Sequence, residues 1–173
     1  VQGSSWGWRG IIRDYIVPGE QGKNTVMPLR EMARAARESG FKPDVIVFDA
    51  SLMGNVEPIE EVKDLAPYLV VSELGIPNSG FPAEKLLKMT SEPDMAARKF
   101  AKRLPEECVK EYAHDGPMAI PENKYFTVTL ASIDTAKWNA FAEKFKKLAD
   151  ALADTDFRRK LTAQPGWMAR SSR

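Results

Sequence analysis

The sequence predicts an α/β domain on a mostly parallel sheet, and three stretches carry that expectation. Val45-Ile46-Val47-Phe48 is an unbroken run of β-branched and aromatic residues. Such a run suits a strand buried on both faces, as in the middle of parallel sheets. A helical repeat follows at Val56, Ile59, Val62, Leu65 and Ala66, all on one helix face. A second apolar run, Tyr68 to Ser72, comes next. Two strands joined by a crossover of this length pair in parallel.

Taken in order, Gly7 to Lys23 reads as a surface loop with a short extended piece, ended by the turn chemistry of Pro18-Gly19. Leu29 to Ser39 is a helix. Leu29, Met32, Ala33 and Ala36 share a face, Pro28 suits its first turn and Gly40 its C′ position. Arg30, Arg34 and Arg37 line another face, which as a row on an exposed helix reads as solvated charge. Helix, strand and helix then succeed one another in αβα order. Leu74 to Phe81 is a Gly- and Pro-punctuated loop leaving the second strand. Ala83 to Met89 and Glu92 to Leu104 are helices, and Pro105 restarts a helical segment carrying Cys108 and Tyr112. His114 to Asn123 is a loop and Tyr125 to Ala131 a third strand. Asp134 suits the N-cap of a long helix. The stripe of that helix, Trp138, Phe141, Ala142, Phe145, Leu148 and Leu152, reads as core packing. Phe157 to Leu161 adds a short helix, and Trp167 is the residue that could dock the tail.

The 173 residues fit one domain, 1–173, with chain enough for a sizeable core. A formal net charge of +1 argues against a dedicated nucleic-acid surface, which is normally strongly basic. No apolar run is long enough to cross a bilayer. Cys108 is the single cysteine, so no internal disulfide forms, and it does not identify a compartment. There is no internal repeat and no low-complexity segment.

The chemistry concentrates where the central run stops. Asp49 and Ser51 stand at the carboxyl end of that strand, beside a helix N-terminus, and in open α/β sheets that rim is where sites are built. Phe48-Asp49-Ala50-Ser51-Leu52-Met53-Gly54, followed by Val56-Glu57, resembles the nucleophile motif Phe-Asp-Ala-Cys-Leu-Met-Gly of the clostripain-like cysteine peptidases. The resemblance runs on through Val62 to Glu73, Ile76-Pro77 and Gly80-Phe81-Pro82, and back through Leu29-Arg30-Glu31. It weakens after Leu87. At the chain's start, Gly3, Ser4 and Trp6 fit the family's His-Gly-Ser/Gly-Gly-Trp pattern, with Gln2 at the His position.

The resemblance implies a caspase-like, three-layer αβα sandwich and cleavage after Arg or Lys. It places Ser51 at the nucleophile and Gln2 at the base, with Gly3 in the loop supplying oxyanion donors. It puts Asp49 in the specificity pocket, pairing with a substrate guanidinium or ammonium. By the same resemblance, strands that normally precede Val1 are missing from this chain, so a light chain or second subunit could complete the sheet. Arg9, Arg13 or Lys23 could serve as a processing site, against the plainer reading of loop charges. Secretion or a cell-envelope location is implied only in this way, as is calcium bound through Asp49 or Glu73. No loop shows calcium-ligand spacing.

Both family residues that carry the chemistry are replaced. A thiol with a pKa of about 8.5 supplies some thiolate near neutrality, whereas a serine hydroxyl needs a strong neighbouring base. Glutamine is no such base. The expectation is near-background catalysis, by analogy with groups that fail as a unit. The replacements read as natural or as introduced substitutions.

Other readings stand beside these. Asp49 could cap the following turn. Ser72 and Glu73, on the same rim, either line the pocket or satisfy loop backbone. Glu57 suits the helix dipole. Cys108 and His114 have no paired spacing, so they read as a buried small hydrophobe and a surface histidine rather than a catalytic pair or a zinc site. Three functions compete: a peptidase domain for peptides containing Arg or Lys, altered at its nucleophile; a pseudopeptidase holding a basic peptide or partner subunit; and a serine hydrolase. The last lacks the Gly-x-Ser-x-Gly elbow. Neither nucleic acid nor membrane is an expected partner.

Overall fold

The computed structural model describes residues 2–3, 10–18, 24–77, 79–113, 115–119 and 128–153. The chain divides into two compact units, Val1–Thr135 and Ala136–Arg173.

In the first unit the strands are β1 (Gln2–Gly3), β2 (Ile12–Pro18), β3 (Asn24–Met27), β4 (Val45–Val47), β5 (Asp49–Ala50), β6 (Tyr68–Val71) and β7 (Ala131–Asp134). The helices are α1 (Leu29–Glu38), α2 (Val56–Val62), α3 (Ala83–Thr90) and α4 (Ala97–Tyr112). The second unit holds α5 (Trp138–Ala153), led in by a 3-10 turn at Thr135–Lys137.

The central strand continues past the predicted run, Val45 to Phe48, as far as Ala50, with an interruption at Phe48. Its first half, β4, pairs in parallel with β6, Val45 opposite Tyr68 and Val47 opposite Val70. Phe48 N–H extends that ladder to the Val70 carbonyl at 2.9 Å. Its second half, β5, pairs in parallel with β1, Gln2 opposite Asp49 and Gly3 opposite Ala50. The chain after β6 stays bonded to Leu52 and Gly54, so β6 holds one edge of this strand and β1 the other. On its far side β6 pairs antiparallel with β7. The result is a small mixed sheet.

Burial follows the strand alternation. Val70 joins a fully apolar cluster with Phe81, Met89, Phe100, Ala101, Leu104 and Cys108 beneath α4. Leu69 and Val71 point to the opposite face and are also completely buried. Tyr68–Val71 is thus shielded on both faces, as its unbroken apolar run requires.

Several expectations need correction. The extended piece expected within 7–23 is a seven-residue strand, β2, paired antiparallel with β3, Ile12 opposite Met27, with an irregularity between Asp14 and Pro18. The β-branched content of Ile12, Ile16, Val17, Thr25 and Val26 accounts for it. The fourth helix starts at Ala97 rather than near Glu92, because Asp94 turns left-handed at φ 57°. It then runs through Pro105 without restarting. Burial of Phe100, Ala101, Leu104, Pro105 and Cys108 on one stripe outweighs the hydrogen bond a proline forfeits. The third strand is Ala131–Asp134, so Asp134 ends a strand rather than capping a helix. Residues 120–127, Phe157, Leu161, Trp167 and His114 lie outside the described residues.

The arginine row is exposed, as expected, and Arg37 is also paired. Arg37 donates through Nε and Nη2 to both oxygens of Asp64 at 2.7 Å, and to the Glu61 carbonyl at 2.6 Å, joining α1 to the end of α2. That hydrogen bond holds the Asp64 carboxyl below its usual range.

Candidate functional site

The candidate site is the rim where the central strand ends. Phe48 and Ala50 point into the interior and are buried. Asp49, on β5, and Ser51, in the turn that follows it, are half-buried. Each meets the loop that leaves β6. Asp49 Oδ2 accepts the Phe81 N–H at 3.0 Å. Ser51 Oγ accepts the Ile76 N–H at 3.0 Å.

The backbone here is strained and close-packed. Leu52 follows Ser51 at φ 62°, left-handed for a residue with a Cβ, and such a position costs about 1–2 kcal/mol. Its N–H reaches the Leu74 carbonyl at 3.1 Å, and the Gly54 N–H reaches the Ser72 carbonyl at 2.7 Å. A Cβ on Gly54 would stand 2.9 Å from both Glu73 N and Ser72 C. The glycine of the motif is therefore what lets the two strand ends meet. Asn55 Nδ2 then bonds back to the Leu52 carbonyl at 3.0 Å, and α2 begins.

Ser72 is completely buried. Its hydroxyl donates to the Leu74 carbonyl at 3.1 Å and accepts the Leu74 N–H at 3.2 Å, with Thr129 Oγ1 at 3.4 Å. These contacts close the turn after β6. Glu73 is exposed beside Gly54. Gln2 and Gly3 lie on the neighbouring strand, opposite Asp49 and Ala50, and only their main chain is described. Arg9 and Lys23 lie outside the described residues, and Arg13 is described by its main chain alone.

Cys108 is buried in the α4 cluster, with its thiol pushed up to about 12 by burial and then by the Asp49 charge. It is protonated and inert near neutrality. Among the described residues, no three His, Cys, Asp or Glu side chains gather where a metal ion could sit. A cavity of about 360 Å³ lies beyond the loop, lined by Pro82, Ala83, Glu84, Lys85, Lys88, Glu111 and Met118. Neither Asp49 nor Ser51 lines it.

Sequence reasoning missed the loop's second attachment. The Tyr112 hydroxyl, on the last turn of α4, bonds the Gly80 carbonyl and lies 3.0 Å from Ser79 Oγ. Tyr112 continues the buried stripe one turn after Cys108, and a phenol in line with a core stripe is the signal that could have found it.

The model of the Clostripain family matches residues 18–165. No curated protein sequence matches the chain. Among solved structures, the chain is similar to a secreted C11 cysteine protease from Bacteroides thetaiotaomicron in complex with an irreversible peptide inhibitor. The identity is 22% over 82% of this chain and 40% of that one, with a TM-score of 0.60. It is similar to a clostripain from the same organism in complex with the peptide inhibitor BTN-VLTK-AOMK, at 19% identity, 76% and 52% coverage and a TM-score of 0.54. It is also similar to an inactive zymogen C11 protease from Parabacteroides distasonis, at 16% identity, 82% and 35% coverage and a TM-score of 0.56. At these identities the likeness is one of fold. The chain spans between 35% and 52% of the length of these proteins.

Proposed function

Because this chain belongs to the clostripain family, we propose that it is the part of a clostripain-type endopeptidase that holds the nucleophile seat, with specificity for Arg or Lys. Ser51 stands in the place of the nucleophile and Gln2 in that of the base. Gly3 belongs to the oxyanion loop. As written, catalysis is near background, because neither a thiolate nor an imidazole is supplied.

One observation carries this reading: β1 runs in parallel beside β5, with Gln2 opposite Asp49. A base at the end of one strand and a nucleophile two residues past the facing position on the next is the arrangement a Cys-His pair needs. Asp49, half-buried and held by a backbone N–H, is the carboxylate that pairs with a basic side chain. The inhibitor carried by the clostripain relative, BTN-VLTK-AOMK, is in keeping with this reading.

In this reading the first unit, Val1–Thr135, is a caspase-like, three-layer fold. Helix α4 covers one sheet face, and the burial of Leu69 and Val71 supports a cover on the other. Strands from another segment or a second subunit complete the sheet beyond β1. A second reading is a pseudopeptidase that keeps the cleft for binding. The hydrogen bond from Ile76 N–H to Ser51 Oγ favours it, since it gives the hydroxyl a structural role.

Calorimetry with a short Lys- or Arg-containing peptide tests the pocket, and a fluorogenic reporter of the same sequence tests turnover. The expected outcome is weak binding, lost in Asp49→Ala, with no cleavage above background. Binding that survives Asp49→Ala unchanged refutes the pocket role.

A further inference from the structure

We infer that Tyr112 is a positioning residue that fixes the acceptor geometry of the Asp49 carboxylate through a single peptide plane. The Gly80 carbonyl and the Phe81 N–H are the two ends of one peptide unit. Tyr112 donates its hydroxyl proton to the first end, and Asp49 Oδ2 accepts from the second at 3.0 Å. In a planar trans peptide those two groups point in opposite directions. The plane that satisfies Tyr112 therefore aims its N–H at Asp49.

The backbone alone does not hold this orientation. Gly80 sits at φ 67°, and without a Cβ it can rotate the plane at little cost. Its neighbours are fixed: Gly80 N–H closes a turn to the Pro77 carbonyl at 2.9 Å, and the Phe81 ring is buried in the α4 cluster. The plane between them is held by side chains at its two ends, Asp49 at the N–H and Tyr112 at the carbonyl. Turned over, it would present the Gly80 oxygen to a carboxylate.

The proton count supports the direction of the bond. A carbonyl cannot donate, so the single phenolic proton goes to Gly80, and the contact with Ser79 Oγ at 3.0 Å is donated by the serine. A donated bond at the carbonyl end polarises the peptide and strengthens its N–H as a partner for the carboxylate. Burial and then the nearby Asp49 charge, against the Ser79 bond, push the Tyr112 hydroxyl upward in pKa, so it stays a neutral donor.

The meaning for ligand binding rests on the pocket reading of Asp49, whereas the linkage itself does not. The test is amide hydrogen exchange with NMR on the full chain. In Tyr112→Phe the Phe81 amide should exchange roughly five- to tenfold faster, the equivalent of one lost hydrogen bond, and its proton should move upfield. The amides of Phe100 and Leu104 on α4 should keep their rates. In an Asp49→Asn background the same change should have a smaller effect. An unchanged Phe81 amide in folded Tyr112→Phe overturns the inference, as does equal acceleration along α4. Should that variant not fold, replacing Tyr112 by 3-fluorotyrosine keeps the ring and strengthens the donor. The Phe81 proton should then move downfield, and no movement overturns the inference.

A parallel titration with the basic peptide separates the two ideas. Coupled loss of affinity in Tyr112→Phe and Asp49→Ala ties the linkage to the pocket. If the unaltered chain binds no basic peptide, the pocket reading fails, and the exchange data still decide the role of Tyr112.

Discussion

Helices α4 and α5 carry the same signal in sequence and meet different fates. Both are 16 residues long with a continuous apolar stripe. On α4 the stripe is closed: Ala101, Leu104 and Cys108 are 0% exposed, packed with Val70 of β6. On α5 the stripe is open: Phe141, Phe145 and Leu148 are 42%, 43% and 53% exposed. The aromatic rings of α5 contact one another instead, Phe141 lying 4.9 Å from Trp138 and 5.7 Å from Phe145 between centroids. An amphipathic pattern states that a face favours cover. It does not state which surface covers it, and reading the α5 stripe as core packing went beyond the pattern.

The comparison breaks most visibly by truncation. Leu104→Ala should destabilise by about 2–5 kcal/mol, the range for emptying a packed leucine site. Phe145→Ala on the open stripe should cost roughly 0.5 kcal/mol or less, as for surface positions. Chemical denaturation of both variants measures the difference. Equal costs would mean that the α5 face is covered in solution.

A smaller effect is expected at the rim that α4 supports. Gly54→Ala forces a Cβ within 2.9 Å of two backbone atoms and should cost roughly 1–3 kcal/mol by overpacking. Because the clash lies between the turn after Ser51 and the end of β6, the proposed basic-peptide binding should weaken along with stability. A neutral outcome would show that the two strand ends are looser than their 2.7 Å hydrogen bond implies.

Smallest is the polar join between α1 and α2. Arg37→Ala should cost at most about 1 kcal/mol, because the pair is exposed and screened by solvent. Its signature is in pH. The Asp64 carboxyl is depressed in the folded chain, mainly by the Arg37 hydrogen bond. That contribution is therefore present above the ordinary carboxylate range and is lost as pH falls through the depressed value. Denaturation between about pH 5 and pH 2 should show a shallower acid loss in Arg37→Ala than in the unaltered chain.

Much of this was legible in the sequence where local pattern and tertiary context agree. Val45 to Phe48 and Tyr68 to Val71 are unbroken apolar runs, and both are strands, paired in parallel. The run from Val45 located the central strand, although pairing continues through Asp49 and Ala50 before the chain turns at Ser51. The misses arose where contact overrides propensity. Pro105 looked like a break, but a stripe on both sides of it is buried in one cluster. Ile12–Pro18 reads as loop with only a short extended piece, because Arg13, Asp14 and the closing Pro18 interrupt its apolar residues. The attachment of Tyr112 to the loop was missed because only the phenol's place in the α4 stripe hinted at it, while its partners, Gly80 and Ser79, are more than thirty positions away and bond through backbone and hydroxyl. Backbone partners leave no trace in residue type.

The central claim is that Ser51 and Gln2 occupy the seats of a thiol and an imidazole. The double substitution Ser51→Cys with Gln2→His, assayed on Lys- and Arg-containing reporters, addresses it most directly. Cleavage after the basic residue, absent from either single variant and abolished by adding Asp49→Ala, is the predicted result. A folded double variant that binds the basic peptide and leaves it uncut would contradict the assignment.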